Sequence, residues 1–172
     1  EDEARAVGTR LTAVESRLRM IEMENRMSPD YVIKSLPATR LVARTATLDA
    51  ERLGEHIGPM FAAVAEGIGH VTGALATPIA TYAVTEAGMD VAVGYGYAGA
   101  APAGAQVIDL PAVDAVCGVH LGSMATIGES WQALHRWIVE NGHEFAGPCR
   151  ELYLRGEDQS DWVTELQQPI RR

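Results

Sequence analysis

A carboxylate and a phenol near the C-terminal end of the chain, Glu151 and Tyr153, are well spaced to hold a cation together. Between residues 150 and 154 they alternate with two leucines, as side chains do along a β-strand. The alternation puts the acid and the phenol on one face, and we expect the leucines on the other face to lie in a helix-covered core. The alternative is a solvent-exposed carboxylate that pairs with Arg150 or Arg155.

Three more aromatic residues are candidates for the same site. Tyr82 and Tyr95 lie on predicted strands of the first half of the chain, and Trp131 begins a predicted helix of the second half. Aromatic rings and a carboxylate attract the same cation, and each cation–aromatic contact contributes ~0.5 to 2 kcal/mol. Because only 6% of the residues are aromatic, several of them near one junction favour a pocket. Each of the three can also be an ordinary core residue.

Catalytic and metal-binding patterns are not found in the sequence. The five histidines lack the spacing of a two-histidine metal motif, and neither a nucleophile elbow nor a phosphate-binding loop is present. Cys117 and Cys149 are expected to be buried thiols, and His120 is expected to be a hydrogen-bonded structural histidine. We therefore predict no catalytic residue, no metal and no cofactor.

The composition describes one globular domain with room for a modest extra element, since the chain has 172 residues, 47% of them hydrophobic and 22% charged. No apolar run reaches the ~18 residues of a membrane span. The acidic first residues are unlike a signal peptide, so we expect a cytoplasmic protein with no membrane partner. The net charge of −9 opposes unaided DNA binding and favours a cationic ligand, although an acidic balance also serves solubility.

Residues 1–28 are predicted to form a long coiled-coil helix that ends before Pro29. An apolar seam recurs there at alternating spacings of four and three residues, which is typical of coiled coils. The seam consists of Val7, Leu11, Val14, Leu18 and Ile21, and Asn25 continues it as a polar position that would fix the register. Because the stripe is narrow, we expect it to meet a second helix in a homodimer. The alternative is packing against the chain's own domain.

The rest of the chain repeats one pattern twice, over about residues 31–97 and 105–170. Each copy is predicted to be a β-α-β-β unit, and the tripeptide Leu-Pro-Ala precedes the first long strand of both, at residues 36–38 and 110–112. A linker rich in alanine and glycine joins the copies. The predicted fold class is therefore α+β, built from two tandem units.

The two copies also agree in spacing. The offset from residue 36 to residue 110 is 74, and the offset from Tyr82 to Tyr153 is 71. Two units that each bury one face of a helix pack most simply about a pseudo-twofold axis, with a cleft at their junction. We expect Glu151 and Tyr153 to face that cleft. A last strand over residues 162–166 is predicted to end before Pro169.

Residues 31–172 resemble the GyrI-like effector-binding domain, and residues 1–28 resemble the dimerisation helix that precedes it in MerR-family transcription regulators of the multidrug-sensing type. The motifs that carry the resemblance are Leu36-Pro37-Ala38, Leu110-Pro111-Ala112, His120-Leu121-Gly122, Trp131 to Trp137, Gly147-Pro148 followed by Glu151 and Tyr153, Thr164-Glu165-Leu166, and Pro169-Ile170. The resemblance implies the duplicated fold and a pocket between the copies for bulky, aromatic and often cationic compounds. It also implies that Glu151 is the acidic pocket residue, with Tyr153 beside it.

One position departs from the family pattern. Met124 stands where the family often has a tyrosine, which implies an apolar and adaptable pocket wall without a hydroxyl.

The function that the resemblance implies is the ligand-sensing portion of a homodimeric transcription regulator. Because the sequence starts at the dimerisation helix, we expect a winged-helix domain to precede it in a longer protein and to make the DNA contact. Two alternatives remain. One is a hydrolase of strained cyclopropane-containing compounds with Glu151 as general base, and the other is an interaction module that sequesters another protein.

Overall fold

The computed structural model of the chain describes residues 30–69, 77–156 and 161–171. The chain divides into two compact units, residues 1–30 and residues 31–172. The first unit contains the predicted dimerisation helix over residues 1–28, which lies outside the described residues together with its whole seam. The second unit contains both repeats and is described below.

The described part of the second unit contains nine strands and two α-helices. The first repeat supplies β1 (Val32–Leu36), β2 (Thr39–Leu48), α1 (Leu53–Ile68), β3 (Pro78–Thr85) and β4 (Gly88–Gly96). The second repeat supplies β5 (Gln106–Leu110), β6 (Val113–Leu121), α2 (Ile127–Glu140), β7 (Glu144–Phe145), β8 (Cys149–Arg155) and β9 (Val163–Arg171). None of these helices is long and apolar enough to cross a bilayer.

The main sheet is antiparallel, and the strands of the two repeats occupy mirrored places in its order. Its strand order is β1-β6-β9-β8-β3-β4-β2-β5, and β7 pairs with β9 outside this path. Each strand of one repeat has its equivalent at the mirrored place in the order, so a pseudo-twofold axis passes between β3 and β8. This confirms the α+β class and the tandem duplication.

The register of the two central strands locates the axis. Ile79 lies opposite Leu152, Ala80 opposite Glu151 and Thr81 opposite Arg150. An offset of 71 residues exchanges the first and third of these pairs and maps Ala80 onto Glu151. The axis therefore passes through the pair formed by Ala80 and Glu151.

The repeats exchange their first strands, which the predicted β-α-β-β unit did not include. β1 of the first repeat pairs with β6 of the second, and β5 of the second pairs with β2 of the first. The prolines at positions 37 and 111 end each short strand, because a proline has no amide hydrogen for the ladder. The first unit is therefore β-β-α-β-β, and the second has the same order with the short strand β7 added after its helix. In both units a two-residue link follows the first strand.

Both helices cover the same face of the sheet. Helix α1 packs its apolar side on a cluster of β3 and β4 that contains Ala80, Val91 and Val93. Helix α2 buries Leu134 and Ile138 on β6 and β9. The α2 helix ends at Glu140 before Asn141, and Gly142 has φ +75°, a left-handed conformation that glycine often adopts just after a helix.

The opposite face of the sheet holds a second apolar cluster. Its buried members are Leu41, Ala43, Ile79, Ala92 and Leu110, and Leu152 packs against them. The prediction that the leucines beside Glu151 face a helix-covered core is therefore wrong for Leu152, because the sheet has an apolar cluster on both faces. The prediction that the last strand ends before Pro169 is also wrong, since β9 continues to Arg171 and Pro169 lies opposite Ala115.

Candidate functional site

Glu151 is a buried carboxylate at the centre of the sheet, and 5% of its surface is exposed. Three donors from three elements converge on it. The indole Nε1 of Trp131 in α2 donates to Oε1 at 2.8 Å. The hydroxyls of Tyr82 in β3 and Tyr153 in β8 donate to Oε2 at 3.0 and 2.5 Å. The structure thus brings together four of the predicted site residues.

The carboxylate faces the two helices. In the register of the sheet, Glu151 shares its face with Ala80 on β3 and Leu166 on β9, which belong to the helix-covered clusters. We predicted that Glu151 would face a cleft with the helices behind the leucines, and this orientation is wrong. The junction between the repeats lies under the helices.

The alternative pairing of Glu151 with a neighbouring arginine is also wrong. Arg150 lies on the opposite face of the strand, where its Nη2 donates to the carbonyl of Pro111 at 3.1 Å. Arg155 lies 3.7 Å from Asp161. Within the described ranges no lysine, arginine or histidine forms an ion pair with Glu151. An ionised carboxylate here is held by neutral donors, so its charge remains available to a cationic ligand.

Tyr82 and Tyr153 are symmetry equivalents at the offset of 71, and they flank the axis. Their hydroxyl oxygens lie 3.1 Å apart. Burial, and next the charge of Glu151, raise the pKa of both phenols far above the ordinary value for tyrosine. Both therefore remain protonated donors throughout the neutral range.

Phe61 of α1 adds an aromatic side chain to this side of the site. The ring of Phe61 meets Tyr153 edge-on at 5.3 Å and Tyr95 at 5.6 Å between centroids. Tyr95 is therefore next to Phe61, and the described contacts include none between Tyr95 and the carboxylate. Phe61 was not among the predicted site residues. At the offset of 74 Phe61 corresponds to His135 of the second repeat, and the His135 ring contacts Trp131 at 5.3 Å between centroids.

Met124 lies at the edge of the site. It belongs to a short 3-10 turn, Met124–Thr126, just before α2. Its sulfur accepts a weak hydrogen bond from the Thr164 hydroxyl at 3.7 Å, and Thr164 lies opposite Tyr153 in the sheet. Met124 therefore contacts a sheet neighbour of Tyr153, and the described contacts include none between Met124 and the carboxylate.

A depression of about 350 Å³ lies away from this carboxylate. Threonines at positions 45, 47 and 81 line it together with Gln106 and Pro148. Thr81 lies opposite Arg150, so most of this lining is on the face without helices. Both carboxylate oxygens of Glu151, by contrast, accept hydrogen bonds from the chain's own aromatic side chains.

The comparisons with known proteins agree with this architecture. The model of the GyrI-like small molecule binding domain matches residues 29–171. A crystal structure of the EcmrR C-terminal domain is similar at a TM-score of 0.68 and 19% identity, covering 84% of this chain and 98% of that chain. EcmrR in a complex with DNA, solved by cryo-electron microscopy, is similar at a TM-score of 0.68 and 20% identity, covering 99% of this chain and 68% of that chain.

A third solved structure carries a ligand. SAV2435 bound to tetraphenylphosphonium is similar at a TM-score of 0.65 and 19% identity, covering 83% of this chain and 94% of that chain. At these identities the likeness shows the fold alone. No curated protein matches the sequence. The match of the family model over residues 29–171, together with the duplicated fold, establishes that this chain belongs to the family of GyrI-like small molecule binding domains.

Proposed function

We propose that the second unit is the ligand-sensing part of a MerR-type transcription regulator and that it binds a bulky aromatic cation at Glu151. The observation that carries this proposal is a buried carboxylate that no basic side chain in the described ranges neutralises, set among four aromatic side chains. A lipophilic cation gains the charge of the acid and the faces of the rings in one place. The tetraphenylphosphonium bound by SAV2435 has this chemistry, which makes it a suitable probe.

Binding requires that the chain give up contacts of its own. The cation replaces the Trp131 N–H at Oε1, while Tyr82 and Tyr153 keep Oε2. Loss of one neutral donor to a charged acceptor costs about 1.5 to 3 kcal/mol. The direct charge interaction and the contacts with the rings, which contribute about 0.5 to 2 kcal/mol each, can offset that cost.

Helix α1 is the element that can move aside most easily. It contains Gly54, Gly58 and Gly67, and it has Pro59 inside its first turns. Each glycine lowers helix stability by about 1 kcal/mol relative to alanine, and an interior proline lowers it by about 3 kcal/mol. We infer that the packing of Phe61 on the sheet holds α1 in place and that a ligand which replaces this packing displaces the helix.

Signalling in this proposal passes through the predicted dimer helix. The ligand stabilises one packing of the repeats, and the change reaches residues 1–28 and a preceding winged-helix domain that contacts DNA. A coupling free energy of about 1 to 3 kcal/mol between the two sites is enough for regulation. The seam residues Val7, Leu11, Val14, Leu18, Ile21 and Asn25 would form the homodimer contact.

The test is a calorimetric titration with tetraphenylphosphonium. We expect Glu151→Gln to weaken binding by tenfold or more, about 1.4 kcal/mol, because the shape is kept and the charge is removed. Triphenylphosphine oxide, a neutral aromatic compound, should not distinguish the variant from the wild type. Glu165→Gln is the matched control, since Glu165 lies on the opposite face and accepts from Lys34 at 2.9 Å.

Equal affinity of the wild type and Glu151→Gln for tetraphenylphosphonium would contradict the proposal. Consumption of a strained cyclopropane compound by the wild type, abolished in Glu151→Gln, would instead support the hydrolase alternative.

A further inference from the structure

The position of Trp131 depends on how the start of α2 is fixed. Thr126 precedes the helix and makes no side-chain capping hydrogen bond. Ser123 caps the preceding 3-10 turn, since its hydroxyl accepts from the Ala125 amide at 3.2 Å. The link between this region and the sheet is therefore made by other side chains.

His120 supplies that link. It lies on β6 with 4% of its surface exposed, and its ring spans the gap to the start of α2. Its Nε2 lies 3.0 Å from the carbonyl oxygen of Ser123, and its Nδ1 lies 2.8 Å from the hydroxyl of Ser130. One ring thus ties two points of the helix start to one strand.

The partners assign the protons of the ring. The Ser123 carbonyl can only accept, so Nε2 of His120 carries the hydrogen. In the neutral ring Nδ1 is then an acceptor, and the Ser130 hydroxyl donates to it. The ring donates a hydrogen bond to Ser123 and accepts one from Ser130. A substitution of His120 can therefore remove one of these hydrogen bonds and keep the other.

The contact at Ser130 bears directly on the site. Ser130 immediately precedes Trp131 on α2, and the Trp131 indole ends on Glu151 at 2.8 Å. His120 also lies opposite Thr164, which lies opposite Tyr153. The helix is therefore anchored to the row of strand residues that carries one of the two phenols.

The first repeat has no such anchor. At the offset of 74, Ala46 stands in place of His120, His56 in place of Ser130 and Ile57 in place of Trp131. Alanine has no side-chain hydrogen-bonding group, and isoleucine has no donor for a carboxylate. The anchor and the indole donor occur together in one repeat.

We propose that His120 is a positioning residue that holds Trp131 on Glu151 through Ser130 and thereby sets how firmly the site is closed. The effect of this positioning on ligand affinity rests on the function proposed above. If a cation must displace the indole from Oε1, then a loosened indole lowers that cost, and the competent state becomes more populated. Loss of the anchor should therefore tighten ligand binding while it lowers stability.

Two polar substitutions of His120 separate its roles. In His120→Asn the side-chain oxygen occupies the place of Nδ1 and can still accept from Ser130. In His120→Gln the side-chain amide occupies the place of Nε2 and can still donate to Ser123. Only the second variant loses the contact that leads to Trp131, although each loses one hydrogen bond.

The readout is the ¹⁹F spectrum of the full chain labelled with 5-fluorotryptophan. The chain has three tryptophans, and Trp131→Phe assigns the resonance of interest. We expect this resonance to shift or broaden in His120→Gln and in Ser130→Ala, and to stay in place in His120→Asn. Ser123→Ala keeps the carbonyl and should lower the melting temperature without moving the resonance.

Affinity provides the second readout. Tetraphenylphosphonium should bind about threefold to tenfold more tightly to Ser130→Ala and His120→Gln than to the wild type, the equivalent of one neutral hydrogen bond. A resonance unmoved in Ser130→Ala, or moved equally in His120→Asn and His120→Gln, would overturn the proposal. The spectra need no ligand, so they test His120 even if the chain does not bind the cation. Ser130→Ala keeps the test open if a substitution of His120 prevents folding.

Discussion

The hydroxyl oxygens of Tyr82 and Tyr153 lie 3.1 Å apart and share one acceptor, Oε2 of Glu151. The two phenols come from equivalent positions of the two repeats, whereas the acid has no equivalent, since Ala80 takes its place in the first repeat. Two phenols related by the pseudo-twofold axis thus donate to one carboxylate that lies on the axis and has no counterpart. The small side chain at position 80 provides the room in which they meet.

Removal of either phenolic hydroxyl should destabilise the domain. We expect Tyr82→Phe and Tyr153→Phe each to lower the free energy of unfolding by about 1 to 3 kcal/mol, because a buried carboxylate oxygen loses a donor. The double variant should lose more than the sum, since Oε2 then has no donor from either repeat. Urea denaturation measures these values. Tyr31→Phe is the control, because the Tyr31 ring packs on Trp137 and away from the acid.

The same pair predicts how stability changes in alkaline solution. The pKa values of Tyr82 and Tyr153 are raised above the ordinary 10.0, so folding favours their protonated forms. Their contribution to stability is complete below the unfolded-state pKa and is lost as the pH rises above it. In a titration monitored at 295 nm, two of the five tyrosines should ionise only as the protein unfolds. Ionisation of all five in the folded protein would contradict the prediction.

Moving the acid across the axis tests the symmetry itself. Ala80→Glu should cost about 3 to 5 kcal/mol, because it adds a second buried charge beside Glu151. Adding Glu151→Ala to that variant should recover part of the loss, since both phenols can reach the transferred acid. Recovery should be incomplete, because Ile57 replaces Trp131 on that side. A combined variant that is less stable than Ala80→Glu alone would show that the two positions are not equivalent.

The predicted dimer helix gives a prediction for the first unit. The double substitution of Leu11 and Leu18 by aspartate should yield a monomer in sedimentation velocity experiments, because it places charges in the proposed seam. The melting temperature of residues 31–172 should change little. A dimer that persists in this variant would indicate that the second units associate directly.

Much of the fold could be predicted from the sequence because duplication is visible in it. The repeated Leu-Pro-Ala and the helix and strand periodicities predict two copies in the right order. The exchange of first strands could not be predicted, because a five-residue strand such as β1 pairs equally well with either repeat on local pattern alone. Its partner is decided by the whole sheet.

Four of the six candidate site residues lie together in the structure, but the face of the sheet on which they lie was predicted wrongly. Alternation predicts that Glu151 and Tyr153 share a face, and in the structure the candidates Tyr82 and Trp131 also donate to the acid. The alternation could not show which face the helices cover. A strand with leucines on one side and polar residues on the other is normally expected to turn its leucines towards the core. Here an apolar cluster on the second face receives Leu152.

The exchanged strands also determine what happens if the backbone is cut. A break in the linker between the repeats, at about residues 98–105, would leave β1 hydrogen-bonded to a strand of the other fragment and β5 to a strand of the first. The fragments would therefore be held together by two reciprocal ladders in addition to the central β3 and β8 pairing. A protein with this interlocked topology should tolerate nicking and reassemble from separately expressed halves, while neither half by itself should fold into a soluble monomer.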